Sequence, residues 1–389
     1  MKLQAYDDRS PPKQSSQSKV VNLDDIEQEA RKRLPKFAFD YYQSGATGEL
    51  TLRENRRQFD RILIRPRMLR FNVSMRSINT TVLGIPISFP VCVAPTAMQK
   101  MADSLGEVAN AIACSAEKTI MTLSTIATSS IEEVAKAVPN SPKFFQLYIY
   151  KDRDITRSLV KRAEDCGFKA LMLTVDTPFM GQRYADERNR FKLPPDLRMA
   201  NFEKESESSN RIQHIKDDQP SSGLTEYTNQ LFDQSLTWKD LDWLRSITRL
   251  PIIVKGIMTS EDARIALKHK VDGILVSNHG GRQLDTVPST IESLLEIIEA
   301  VDNRCEVYLD GGIRRGTDIF KALALGARAV FIGRPMIYGL AYNGVDGCRR
   351  VLQILRKEFD STMALAGCAK LDQIDRTMVI RSGELLAKL

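Results

Sequence analysis

Three histidines, His214, His269 and His279, are the whole supply of imidazole in this 389-residue chain. An imidazole is the one side chain whose ordinary pKa lets it accept a proton near neutral pH, so base chemistry is sought there first. His214 lies in a polar stretch and His269 at the end of a helical pattern, where each reads as a surface residue. His279 follows Gly273-Ile274-Leu275-Val276-Ser277-Asn278, an apolar run that turns polar, and Gly280-Gly281 leave room beside it. Arg282, three residues on, could clamp a carboxylate in bidentate fashion while His279 takes a proton from the same ligand. Asp176 ends another apolar run and would stabilise the imidazolium formed by proton uptake; a structural salt bridge is its alternative reading. Arg183 supplies a second carboxylate contact. Lys255 places a positive charge near whatever cofactor fills the site, and for a flavin that cation would stabilise the reduced, anionic ring.

A second constellation is built for phosphate. Asp310-Gly311-Gly312-Ile313-Arg314-Arg315-Gly316-Thr317 and Gly333-Arg334-Pro335 each follow an apolar run. Glycines let backbone amides approach a ligand, the following helix presents its N-terminus, and Arg314 and Arg334 add charge-assisted contacts. Plain chain reversal is the blander account of such glycines.

The elements that must carry these residues are legible as eight short apolar runs: Val91 to Ala94, Ile120 to Ser124, Phe144 to Tyr148, Ala170 to Val175, Ile252 to Lys255, Gly273 to Ser277, Val307 to Leu309 and Ala329 to Ile332. Runs that are apolar almost throughout suit parallel strands buried on both faces. Most precede amphipathic segments, among them Ser130 to Val138, Asp152 to Asp165, Ser260 to His269, Ser289 to Val301 and Thr317 to Leu325. Eight such units predict an α/β chain forming a (β/α)8 TIM barrel. The rival, an open doubly wound sheet, would carry its phosphate glycines after the first strand, not the last two. Barrel function comes from the C-terminal strand ends, which here also supply Pro95-Thr96-Ala97, Ser124, Gln146, Tyr148, Thr174 and Ser277. Ahead of the barrel, Asn22 to Gln43 predicts one helix closing the bottom or rim. Residues 1–20, polar and Pro/Ser-rich, read as a disordered tail, and residues 21–389 as one domain. The long polar stretch 201–230 reads as a mobile, lid-like insertion after the fourth strand.

Composition sets the outer bounds. Hydrophobic residues make up 42% and charged residues 27%, which is ample for a large core. The net charge of +7 is interleaved along the chain, which argues against nucleic acid and favours encounter with a small anionic substrate. Six dispersed cysteines with no CxxC pair predict a reduced compartment and no metal site. The longest apolar candidate for a membrane span, Pro86 to Met98, is broken by prolines, so no membrane association is expected.

The motif Ser277-Asn278-His279-Gly280-Gly281-Arg282-Gln283-Leu284-Asp285 resembles that of the FMN-dependent L-2-hydroxy acid oxidase and dehydrogenase family, its glycolate oxidase branch above all. Tyr41-Tyr42, Ala94-Pro95-Thr96-Ala97-Met98, Leu173-Thr174-Val175-Asp176-Thr177-Pro178, Val254-Lys255-Gly256 and Leu309-Asp310-Gly311-Gly312 support the resemblance. It implies FMN as cofactor and His279 as base with Asp176 as its partner. It puts the substrate carboxylate between Arg183, Arg282 and Tyr41, and has Tyr148 hydrogen-bond the substrate hydroxyl. FMN would lie against Pro95, Thr96 and Ala97, with Ser124, Gln146, Thr174, Lys255 and Ser277 around it. Its phosphate would sit among Gly311, Gly312, Arg314, Gly333 and Arg334, beside Asp310. A homotetramer is also implied.

Ile126 departs from the resemblance, because glycolate oxidases carry tryptophan there. A smaller apolar wall predicts that longer or branched acids, lactate included, are preferred over glycolate. Phe179-Met180-Gly181-Gln182 is a second departure. Dioxygen is the expected electron acceptor, yielding hydrogen peroxide, since no haem-domain extension is present. Ala387-Lys388-Leu389 is similar to the tripeptide read by the peroxisomal import receptor, which predicts a peroxisomal address. The competing readings are an L-lactate dehydrogenase using another acceptor, a non-redox barrel acting on a phosphorylated metabolite with Lys255 as Schiff base, and a non-catalytic flavin or phosphate-ligand binder.

Overall fold

The computed structural model describes residues 20–202 and 230–383. Three helices come first: α1 (Leu23–Arg33), α2 (Lys36–Gln43) and α3 (Leu50–Asp60). The single helix expected over Asn22 to Gln43 is therefore two. Leu34 leaves the helical region at φ −72°, ψ 139°, because a residue before proline is pushed to extended backbone and Pro35 lacks the amide that would continue the ladder. Strand β1 (Ile62–Ile64) and the hairpin β2 (Thr80–Val82) and β3 (Ile85–Ile87) follow.

The barrel strands are β4 (Val91–Val93), β5 (Met121–Leu123), β6 (Lys143–Leu147), β7 (Ala170–Thr174), β8 (Ile252–Ile257), β9 (Gly273–Val276), β10 (Glu306–Asp310) and β11 (Ala329–Ile332). They close in sequence order, with β11 pairing back to β4, and every pair is parallel. Each of the eight expected runs is one of these strands. The helices on the outside are α4 (Glu107–Ala116), α5 (Ile131–Ala137), α6 (Arg153–Asp165), α7 (Tyr184–Arg188), α8 (Trp238–Ile247), α9 (Ser260–Lys268), α10 (Thr290–Val301), α11 (Gly316–Ala324) and α12 (Arg334–Ala366). Ser130 with Glu133 and Ser289 with Glu292 form capping boxes that start α5 and α10, as their sequence pattern predicts. A last strand, β12 (Val379–Arg381), pairs antiparallel with β1.

Side chains alternate along each strand, so inward positions stack in layers. The lower layers are apolar and packed together: Cys92, Phe144, Met172, Ile253, Leu275, Tyr308 and Phe331, with Val82 and Ile87 of the hairpin joining them. The layer at the C-terminal ends is polar. That division puts the stability of the barrel below and its chemistry above.

Val20, the last residue of the tail expected over 1–20, is buried, and its carbonyl accepts from Arg350 at 3.0 Å. Residues 1–19 lie outside the described residues, as does most of the insertion expected over 201–230. Asn201 and Phe202, at its start, are buried, and Asn201 Nδ2 donates to the Thr125 carbonyl at 2.9 Å. His214 and Ala387-Lys388-Leu389 also fall outside the described residues. Among the described residues no helix is long and apolar enough to cross a membrane.

Candidate active site

A cavity opens at the C-terminal ends of the strands. Ser124, Gln146, Thr174, Lys255 and Asp310 line it, each from a different strand end. Gln146 locks part of this layer: its amide donates to Thr174 Oγ1 at 3.1 Å, while its oxygen accepts from Ser124 Oγ at 3.3 Å and from the Thr125 amide at 3.1 Å. The result is a fixed row of donors and acceptors across β5, β6 and β7. Strand β8 is irregular between Lys255 and Ile257, with Gly256 at φ +112°. A Cβ on Gly256 would come within 2.7 Å of Asp176 Cβ, so only glycine allows β8 to approach Asp176 closely enough for Lys255 to pair with it.

His279 sits at φ +57°, a left-handed conformation disfavoured for a residue with a Cβ. Its Nδ1 lies 2.7 Å from Asp176 Oδ1. Thr177 Oγ1 donates to the same carboxylate oxygen at 2.8 Å, and Lys255 Nζ lies 3.4 Å from Oδ2. Burial alone would raise the Asp176 carboxyl, but the charges of His279 and Lys255 and its hydrogen bonds outweigh this and hold it well below the ordinary range. An ionised Asp176 fixes the proton on Nδ1, which leaves Nε2 as an acceptor. Burial lowers the imidazole to about 4 against the pull of Asp176, with Lys255 and Arg183 adding to the depression. At neutral pH His279 is therefore uncharged and able to take a proton.

The cavity wall carries an excess of cations. Arg183, Arg282, Arg314, Arg334 and Lys255 all line it. Burial, then the neighbouring Arg282, bring Arg183 down to about 10, and the same two causes bring Arg334 down to about 9. Mutual repulsion of buried guanidinium groups is relieved by an anion among them. Tyr41 stacks on Phe191 at 4.4 Å between ring centroids, and Tyr148 stacks on Phe232 at 4.4 Å. Burial pushes both phenols up, so both remain protonated donors at neutral pH.

At the other end, Gly311 and Gly312 are left-handed at φ +89° and +87°, and a Cβ on Gly312 would meet the Asn55 carbonyl oxygen at 1.9 Å. Arg314 Nε and Asp310 Oδ1 are buried with no hydrogen-bond partner in the protein. Buried polar atoms are rarely left that way, so this corner is built for a polar ligand. Two details differ from the sequence reading. The N-terminus of α11 is already used: Glu358 accepts the Gly316 amide at 2.8 Å, and Asp318 accepts the amides of Arg314 and Arg315, each at 2.9 Å. The helix end that meets the cavity belongs to α12, whose N-cap Gly333 offers no side-chain cap and lines the wall. Arg334, in turn, donates to three carbonyls, of Tyr42 at 2.8 Å, Gly280 at 2.9 Å and Ser44 at 3.1 Å. It pins the α2–α3 connection to the His279 loop while its charge faces the cavity. A phosphate end and a row of hydrogen-bonding groups for a flat heterocycle fit FMN.

Of the expected site residues, Pro95, Thr96, Ala97, Ile126, Tyr41, Tyr148 and the others named above line this one cavity, while Asp176 and Ser277 do not. Asp176 stands one hydrogen bond behind His279. Ser277 is fully buried, and its hydroxyl accepts the His279 amide at 3.1 Å, which braces the loop. Sequence reasoning assigned no role to Tyr42 or Met180, both on the wall. A Cβ on Gly181 would meet the Arg282 carbonyl oxygen at 2.5 Å, so this position must be glycine for the segment before Arg183 to pack on the His279 loop.

The sequence profile of the FMN-dependent dehydrogenase family matches residues 30–381. "2-Hydroxyacid oxidase 1" of Homo sapiens is 52% identical over 371 residues, covering 95% of this chain and 99% of that one. "Glycolate oxidase 3" of Arabidopsis thaliana is 55% identical over 360 residues, covering 92% and 96%. Among solved structures, mandelate oxidase with (S)-4-hydroxymandelic acid superposes with a TM-score of 0.86 at 39% identity, covering 92% of this chain and 98% of that one. A soluble mutant of the membrane-associated (S)-mandelate dehydrogenase from Pseudomonas putida gives 0.85 at 35% identity, covering 93% and 99%. The non-redox and non-catalytic readings fall with these matches: a closed barrel, a cavity fitted to FMN and a profile spanning the barrel place the chain in the FMN-dependent dehydrogenase family, as an FMN-dependent oxidoreductase.

Proposed function

We propose that the protein oxidises an L-2-hydroxy acid to the 2-oxo acid, with His279 as the base, and that dioxygen reoxidises the cofactor with release of hydrogen peroxide. The observation that carries this reading is His279, oriented by Asp176 at 2.7 Å and set in the same cavity as Arg183 and Arg282. Two guanidinium groups and the Tyr41 phenol suit a carboxylate, and the Tyr148 phenol suits the substrate hydroxyl. A carboxylate held there presents its α-carbon to the base. His279 Nε2 takes the proton lost by the substrate, and Asp176 with Thr177 stabilises the imidazolium that results. FMN supplies the two-electron acceptor for this chemistry. Lys255 would support its reduced form with positive charge, while Pro95, Thr96, Ala97, Ser124, Gln146 and Thr174 would hold the ring, and Gly311, Gly312, Arg314 and Gly333 the phosphate.

Ile126 and Met180 make the wall beside the base apolar, which supports longer or branched acids over glycolate. The first experiment is anaerobic addition of glycolate, L-lactate and a longer L-2-hydroxy acid to the purified yellow protein, followed by air. Bleaching, then recovery with stoichiometric peroxide, is the expected result. Bleaching without recovery in air would assign the dehydrogenase reading, and a higher kcat/KM for glycolate than for every longer acid would overturn the substrate preference. We propose also that residues 21–389 work as one FMN-binding domain within a homotetramer, which light scattering tests. A peroxisomal destination rests on Ala387-Lys388-Leu389; a deletion of the tripeptide that leaves location unchanged would remove it.

A further inference from the structure

We propose that Asn55, on α3 ahead of the barrel, is a positioning residue that sets His279 through a reciprocal amide pair with Asn278. This rests on the reading of His279 as the base. His279, Gly280 and Gly281 are left-handed in succession, at φ +57°, +64° and +75°. Such a run does not hold itself, least of all with a histidine in it, so bonds from outside the loop must fix it. Arg334 on the Gly280 carbonyl at 2.9 Å and the Ala46 amide on the Gly281 carbonyl at 2.8 Å supply two of them, and Asn55 supplies those on the Asn278 side. Its Nδ2 donates to Asn278 Oδ1 at 2.8 Å, and Asn278 Nδ2 donates back to Asn55 Oδ1 at 2.8 Å. Asn278 Oδ1 also accepts the Gly281 amide at 3.1 Å, so the pair reaches both sides of His279. Both amides are buried, at 2% and 6% exposure, and Asn55 is absent from the cavity wall. Its tie to the His279 loop runs through Asn278, while its Oδ1 also accepts the Thr290 amide at 3.3 Å.

The reverse tie supports the same assignment. The N-cap residue of α3, Glu49, gives that helix no side-chain cap. Asp285, at the far end of the His279 loop, takes over: it accepts the Thr51 amide at 2.8 Å, the Leu50 amide at 3.3 Å and Thr47 Oγ1 at 3.0 Å. The helix and the loop thus hold each other, and the Asn55 carbonyl packs against Gly312 on the phosphate side. An element outside the eight-fold repeat fixes the distance between base and cofactor site.

The test compares Asn55→Ala, Asn278→Ala and the double variant as FMN-loaded enzymes, with His279→Gln as reference. Taking the Asn55 partner from the buried Asn278 amide, which keeps the Pro288 carbonyl at 3.2 Å and the Gly281 amide at 3.1 Å, should slow single-turnover flavin reduction roughly ten- to hundredfold. Flavin content and binding of the 2-oxo acid product should be kept. Because the chain has three histidines, the His279 ring resonance is identified by its loss in His279→Gln. Its titration midpoint should rise from about 4 toward the ordinary value in Asn55→Ala, as the loosened ring gains water. The double variant should be no slower than Asn278→Ala alone. Multiplicative effects of the two variants, or a slowed Asn55→Ala whose His279 titration is unmoved, would make Asn55 a plain structural tie and overturn the proposal. Should Asn55→Ala fail to fold, Asn55→Asp keeps the acceptor for Asn278 Nδ2 but loses the donor, and the same titration shift is expected at smaller size. His279→Gln with an undiminished rate would remove the base reading itself, whatever the amide pair does.

Discussion

Replacing Asp176 with asparagine changes one charge and no volume, and it acts on the base at its closest contact. The carboxylate receives three groups: His279 Nδ1 at 2.7 Å, Thr177 Oγ1 at 2.8 Å and Lys255 Nζ at 3.4 Å. As imidazolium forms, a full ion pair develops across the shortest of these. At a charge separation near 4 Å and the effective dielectric of a partly solvated site, that pair contributes about 4 kcal/mol. A charge-assisted hydrogen bond gives a similar figure of about 1.5–3 kcal/mol from mutational data. The amide would keep a weaker neutral contact, and it could present its NH2 to Nδ1, moving the ring proton to Nε2 where it blocks the base. We expect Asp176→Asn to lower the rate of anaerobic flavin reduction by about 10² to 10³, with KM changed little because Arg183 and Arg282 are untouched. Stopped-flow absorbance of the bound flavin is the assay, since it isolates this half-reaction from reoxidation. A loss of less than tenfold, or a loss confined to KM, would refute the reasoning and leave Asp176 as a salt bridge for Lys255.

Four further outcomes follow from the same geometry. The free-enzyme kcat/KM should rise with pH through about 4 and stay level to pH 7, because only the neutral His279 accepts a proton; an acid limb centred near the ordinary histidine value would contradict the burial argument. The linked stability has the same sign: a histidine whose folded pKa lies below its unfolded one binds protons better when unfolded, so its contribution to stability should grow as pH rises from about 4 to about 6.5. Gly312→Ala should abolish FMN retention, seen as a colourless protein after gel filtration, since its Cβ has an oxygen 1.9 Å away. Ile126→Trp should lower kcat/KM for a longer 2-hydroxy acid by roughly ten- to two-hundredfold while sparing glycolate, the discrimination a change of a few methylenes' volume supports.

The parts of the site that were legible in the sequence share a physical origin. Ser124, Gln146, Thr174, Lys255 and Asp310 each stand at the end of a run buried on both faces, and a parallel barrel strand must be apolar until it reaches the functional rim. The same logic picked His279 over His269. Where the reading went astray, a competing local rule or a distant partner was responsible. Pro35 splits the first helix, a signal that was present but outweighed by the apolar periodicity around it. The N-terminus of α11 looked open to phosphate because Glu358, which caps it, lies 42 residues away.

The order of strands and helices, the polar layer and the place of His279 at a strand end were therefore set by local composition and period, since burial on both faces and capping act within a few residues. The strap from α3 was not. Asn55 and Asn278 meet across 223 residues, and nothing near either one marks it as half of a pair. The same holds for the three carbonyls that occupy Arg334 and for the antiparallel pairing of β1 with β12. Tertiary structure alone decided these, because a hydrogen bond between distant segments depends on where the whole barrel brings them and leaves no periodicity behind in the chain.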